Sequence, residues 1–189
     1  FSLKSFYIRR VKRILPAAFV VIVVTVLLAQ LLFLPQDTIK VAESGIWSAF
    51  SMANVYFWKF QDSGYFASSS YEGPLLHLWS LGVEEQFYLF WPLTVLLLYP
   101  RLGAKYFSLV IVATIASSIA IAELLINEHH SFVYYMLPSR AGELLTGALL
   151  ALLLYKKPSN LSRLTAVLSS SYSVFLGVIL IALSSVFID

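Results

Sequence analysis

The stretch PLLHLWSLGVEEQFYLFWPLTVLLLY, residues 74–99, decides the fold. Its second half is an apolar run. Its first half carries His77, Ser80, Glu84, Glu85 and Gln86 into that run. A membrane-spanning helix needs about 20 mainly apolar residues at 1.5 Å rise each. Gln86–Tyr99 reaches that length only if the helix starts near Leu81. Ser80 then caps the start, Glu84 and Glu85 fall in the first turns where the helix dipole favours acids, and Pro92 kinks the later turns.

Working outward, similar apolar runs occupy Ile14–Leu34, Lys105–Ile121, Phe132–Tyr155 and Ser171–Ile188. The 189-residue chain is 59% hydrophobic and only 12% charged, with a mean hydropathy of +0.82. Soluble domains carry about 25% charged residues, so this surface could not be buried in a water-soluble core. The expected fold is all-α: a polytopic transmembrane helix bundle of about five spans, forming one membrane domain over residues 1–189. Starting at Phe1 and stopping at Asp189 directly after an apolar run, the sequence reads as the interior part of a longer chain. The absence of cysteine excludes disulfides, thiolate nucleophiles and cysteine metal sites.

Ile46–Phe60 is aromatic and apolar but short, with Asn54 inside it and Lys59 near its end. The positive-inside rule arbitrates. Lys4, Arg9, Arg10, Lys12 and Arg13 set the N-terminal end in the cytoplasm. Arg101, Lys105, Lys156, Lys157 and Arg163 join them only if Ile46–Phe60 does not cross. That segment is therefore expected to be one re-entrant or interfacial helix. The expected location is the inner cell membrane, with lipid as the first partner. The net charge of +3 sits in short clusters beside apolar runs, which argues against a nucleic-acid surface. On this topology His77, Glu84 and Glu85 lie at the outer mouth, Arg140 and Glu143 lie in the outer half of the fourth span, and Arg10 and Arg13 lie on the opposite face.

A charge inside hydrocarbon costs about 2.5–3.5 kcal/mol on insertion scales, so such residues face a partner or a wet cavity. Arg10 and Arg13 are three apart, share a helix face and can grip phosphate with planar forks. The plainer alternative is a topology signal touching lipid headgroups. Glu84 and Tyr88 share a face at i,i+4, and His77 precedes it by two turns; histidine beside carboxylates could move protons for a hydroxyl. The plainer alternative is an interfacial belt of Trp79, Tyr88 and Trp91 with helix-capping glutamates. Arg140 and Glu143, at i,i+3, either neutralise each other structurally or face substrate. His129 and His130 have no further histidine at ligand spacing, and no metal site is expected.

FYIRRVKRILPA (6–17), the segment from Gly64 through PLLHLWSLGVEEQFYLFWPL (74–93), and LPSRAGELLTGALLA (137–151) together resemble the acyltransferase-3 family. These are bacterial integral-membrane O-acyltransferases that modify surface sugars. The resemblance implies transfer of an acyl group, usually acetyl, from acyl-CoA to a hydroxyl of a glycan such as O-antigen, peptidoglycan or exopolysaccharide. Acyl-CoA is then a donor substrate, and no resident cofactor is implied. It assigns Arg10 and Arg13 to the CoA phosphates. His77, Glu84, Glu85, Tyr88, Arg140 and Glu143 would shape the acyl path and acceptor site. The family's presumed catalytic histidine lies on an earlier helix with no counterpart here, so this stretch alone is expected to be inactive. A transporter or flippase of a glycolipid is the competing reading, since intramembrane charges also mark transport paths.

Overall fold

A computed structural model describes residues 2–60, 73–155, 172–173 and 175–179. All regular structure among them is helical: α1 (Leu3–Leu32), α2 (Pro35–Ala49), α3 (Ala53–Phe60), α4 (Leu78–Leu125), α5 (His130–Tyr135) and α6 (Leu137–Tyr155). Three helical stretches, Leu3–Leu32, Leu78–Leu125 and His130–Leu153, are long and apolar enough to cross a membrane. The protein is a multi-pass membrane protein. Its apolar residues also cover outer faces: Leu31 is 80% exposed and Leu109 63%. In water such faces would drive association, whereas beside lipid tails or further helices they cost nothing.

Backbone contacts divide the chain into two units, Phe1–Thr146 and Gly147–Asp189. The second contains the last turns of α6 and the helical residues 172–173 and 175–179. Most of the expected span Ser171–Ile188 therefore lies outside the described residues. The residues of the polar clusters, Arg10, Arg13, His77, Glu84, Glu85, Arg140 and Glu143, belong to the first unit.

Ser2 caps α1 by accepting the Ser5 N–H at 3.4 Å. At the far end Phe33 is extended and Pro35 opens α2, where its missing N–H costs nothing. Thr38 Oγ1 donates to the Ala29 carbonyl at 3.1 Å, which ties the reversed chain to α1. Ile46–Phe60 is not the single helix expected from its composition. It is the end of α2, a turn at residues 50–52, and the eight-residue α3. Ser51 turns with φ 57°, a left-handed conformation without glycine. Eight residues rise about 12 Å, less than half of the hydrocarbon thickness of about 30 Å, so α3 cannot cross. Tyr56 donates to the Lys40 carbonyl at 3.2 Å, anchoring α3 to α2. Burial, then the Glu43 carboxylate, raises the Tyr56 pKa and keeps it a neutral donor.

The expected second and third spans are the two arms of α4. Gly103 breaks the helix with φ 65° and ψ 170°, just beyond Pro100. The chain then folds back: Phe107 meets Trp91 at 5.9 Å and Tyr99 at 5.5 Å between ring centroids. An apolar cavity of about 160 Å³ between the arms is lined by Phe87, Trp91 and Thr94 facing Phe107, Ile111 and Thr114, the order of antiparallel helices. A side chain at Gly103 would touch nothing within 4 Å, so any penalty there is purely conformational. Gly103→Ala is expected to cost about 1–3 kcal/mol, read as a lower melting temperature in detergent. An unchanged melting temperature would mean that the reversal does not need this backbone.

Two further expectations change. α4 starts at Leu78 with His77 at the N-cap position, and Ser80 is already inside, its hydroxyl donating to the His77 carbonyl at 3.2 Å. The expected fourth span is interrupted at Met136, which is extended, because Pro138 brings no N–H and crowds the preceding turn. The carbonyls freed there are met by side chains. Ser139 Oγ shares its one hydrogen between Val133 O at 2.7 Å and Met136 O at 2.8 Å, and Arg140 Nε donates to Tyr134 O at 3.2 Å.

Candidate functional site

The core of the first unit joins Ile22 and Ala29 of α1 with Val41, Tyr56, Phe57, Leu75, Leu78 and Tyr135. Ile22 of α1 and Leu75, three residues before α4, both flank Gly45 of α2, so α4 starts near the level of the middle of α1. From there α4 runs back toward the N-terminal turns of α1. Tyr7 Oη donates to the Leu89 carbonyl at 2.9 Å, and Arg10 reaches Glu85. The sequence-based expectation that Arg10 and Glu85 occupy opposite faces is therefore corrected. The helix has already returned about two turns by Glu85, at 3.6 residues per turn.

Arg10 lies with its Cζ 3.0 Å from the Tyr88 ring centroid and 5.4 Å from that of Phe6. Its Nη1 is 3.8 Å from Glu85 Oε1, close enough for charge attraction and too far for a hydrogen bond. That carboxylate oxygen is buried and takes no hydrogen bond. These three side chains border a cavity of about 300 Å³ whose lining also includes Phe50, Ser51, Met52 and Gln86. A cation whose flat side is held by an aromatic ring keeps its N–H edge available, and this arrangement can seat an anionic group. Arg13 is exposed and lines neither this cavity nor the one around Glu84.

Glu84 leaves α4 about 100° around the helix from Glu85 and enters another cavity, of about 90 Å³, with Trp79, Ser80, Arg140 and Glu143. Arg140 Nη1 donates to Glu143 Oε1 at 2.7 Å. Its guanidinium sits 5.3 Å from the Trp79 ring and 5.1 Å from the Tyr134 ring. The pairing expected from the i,i+3 spacing is present, and Glu84 adds a second carboxylate beside it. Glu84 and Tyr88, expected on a common face, border different cavities. His77 is exposed and lines neither. Of the three aromatics of the interfacial-belt alternative, Trp79 packs on Tyr134 at 4.8 Å, Tyr88 lies under Arg10, and Trp91 stacks on Phe87 at 5.6 Å. Among the described residues no three of His, Asp or Glu converge as metal ligands.

Sequence reasoning passed over the polar contact that joins α3 to α4. Asn54 is completely buried. Gln86 Nε2 donates to Asn54 Oδ1 at 2.8 Å and to the Ser51 carbonyl at 3.2 Å, and Asn54 Nδ2 returns a longer bond to Gln86 Oε1 at 3.4 Å. The available signal was an amide in each of two apolar segments, because amides buried there must find partners.

A family profile described as an acyltransferase domain (Acyl_transf_3) matches residues 1–188. An uncharacterized protein of Haemophilus influenzae is 36% identical over 167 residues, covering 85% of this chain and 66% of its own length. A putative O-acetyltransferase of Staphylococcus aureus is 38% identical over 155 residues, covering 80% of this chain and 25% of its own. The peptidoglycan O-acetyltransferase OatA of Listeria monocytogenes is 37% identical over 153 residues, 79% of this chain and 24% of that protein. The chain thus spans about two thirds of the first relative and about a quarter of the others. No solved structure matches it.

Proposed function

Since the chain belongs to the acyltransferase-3 family, we propose that it takes part in moving an acyl group, acetyl in the simplest case, from acyl-CoA to a hydroxyl of a cell-surface glycan. The observation that carries this reading is the cavity of Arg10, Glu85 and Tyr88. It offers an oriented guanidinium to a phosphate and apolar walls to the arm beyond it. The basic residues around Arg10 favour a cytoplasmic position for that end of α1, where acyl-CoA is supplied. In the reaction the acceptor oxygen attacks the thioester carbonyl, the C–S bond breaks, and the CoA thiolate leaves and takes up the proton lost by the hydroxyl. The acceptor is assigned to the cavity of Glu84, Arg140 and Glu143, whose carboxylates suit a donor-rich, uncharged polyol. Glu84 and Glu85 are consecutive, with Cα atoms about 3.8 Å apart, so both cavities stand at one level of α4. His77 carries no step in this scheme.

The test uses the full-length protein in membrane vesicles supplied with radiolabelled acetyl-CoA and a surface glycan. Alkali-labile label should appear in the glycan. Glycan crossing the membrane without label would instead make the protein a transporter. Within the same assay Glu84→Gln should raise the KM for the glycan about tenfold, the effect of one charged hydrogen bond. The KM for acetyl-CoA should stay constant. A Glu84→Gln protein with an unaltered glycan KM would remove this cavity from the acceptor path.

A further inference from the structure

We propose that Gln86 is a positioning residue for the acyl-donor cavity, acting through Asn54 and the Ser51 turn; this rests on the donor reading of the Arg10 cavity. Gln86 belongs both to the cavity lining and to the α3–α4 contact. Its amide nitrogen has two hydrogens, one directed to Asn54 Oδ1 at 2.8 Å and the other to Ser51 O at 3.2 Å, with Met52 Sδ at 3.9 Å. The turn it holds is strained. Ser51 has φ 57°, and the turn's remaining support is local: Ser51 N–H to Ser48 O at 2.9 Å and Met52 N–H to Trp47 O at 2.8 Å. Left-handed backbone without glycine persists where its surroundings over-determine it, and such places cluster at ligand clamps.

Two of the three side chains of this turn are apolar and exposed: Phe50 is 76% exposed and Met52 43%. Arg10 lines the same cavity. The site therefore reads two parts of one ligand, an anion at the guanidinium and an uncharged arm along the Phe50–Met52 wall. Gln86 fixes how far apart those two surfaces stand. In an acyl-CoA the parts correspond to a phosphate and the pantetheine thioester arm.

This separates Gln86 from a purely structural polar contact. Gln86→Met keeps length and removes both N–H donors without adding charge. In the full-length protein it should raise the KM for acetyl-CoA about tenfold with little change in kcat. Inhibition by adenosine 3′,5′-bisphosphate, which has the phosphates and lacks the arm, should be unchanged. Should Gln86→Met fail to fold, Phe50→Ala with Met52→Ala removes the same wall from exposed positions and should give the same split. The inference is overturned if wild-type transfer is normal and neither variant moves the acetyl-CoA KM. It is also overturned if nucleotide inhibition weakens in parallel, or if kcat merely falls with the folded fraction. A wild-type protein that neither binds CoA nor transfers acetyl would sink the donor reading itself.

Discussion

Gly82→Val is expected to deprive the protein of most of its folded population in membranes, a larger stability effect than that of Gly103→Ala. A Cβ at Gly82 would stand 2.9 Å from Asn54 Oδ1, 3.2 Å from the Ser51 carbonyl and 3.4 Å from the Asn54 nitrogen. Two of those three atoms are backbone, and the third belongs to a side chain with no exposed surface. Nothing on that side can yield cheaply. Forcing α3 away also stretches the 2.8 Å bond from Gln86 to Asn54, leaving a buried amide without its best partner. Overpacking costs about 1–3 kcal/mol and an unsatisfied buried polar group a similar amount, so a loss of about 3 kcal/mol or more is expected. Fluorescence-detected size exclusion of detergent-solubilised protein after a temperature series reads this directly. Gly82→Ala should melt between wild type and Gly82→Val. Wild-type melting for Gly82→Val would mean that α3 does not lie against α4 at this point.

The same position shows what was legible in the sequence. Apolar runs and charge placement were enough for the all-α membrane fold, because a helix is the one local structure that satisfies an isolated apolar segment in lipid. The Arg140–Glu143 pair was legible too, since three residues on a helix fix its geometry without tertiary information. The break at Met136 was written in Pro138 and could have been read. The turn at Ser51 could not, because Phe50-Ser51-Met52 contains neither glycine nor proline, and its left-handed residue is held by Gln86 from a distant helix. The divergence of Glu84 and Glu85 comes from 100° per residue, but which neighbour each meets depends on packing between helices far apart in sequence. Arg10 and Glu85 were separated by topology counting that treated residues 77–85 as the mouth of a span. In the folded chain α4 is already helical at Leu78, and by Glu85 it has come within 3.8 Å of Arg10 on α1.

Arg10→Ala should give the largest functional effect, a rise of about ten- to a hundredfold in the KM for acetyl-CoA. Hydrogen bonds to charged groups contribute about 1.5–3 kcal/mol, and each 1.4 kcal/mol is tenfold. Removing Arg10 does two things at once: it takes away the donor's cation and leaves Glu85, a quarter exposed, beside Tyr88 without its countercharge. Arg10→Ala combined with Glu85→Gln separates them. The second change removes the uncompensated carboxylate and should recover thermal stability while the acetyl-CoA KM stays high. Arg10→Lys should recover part of the charge effect and little of the orientation, because an ammonium lacks the planar face that lies 3.0 Å from the Tyr88 ring. Arg13→Ala, altering an exposed side chain outside the cavity, should cost only severalfold, about the 1 kcal/mol of a surface charge near phosphate. If Arg13→Ala raises the KM more than Arg10→Ala in equally well-inserted proteins, the phosphate lies outside this cavity, and the stack on Tyr88 serves only to fasten α1 to α4.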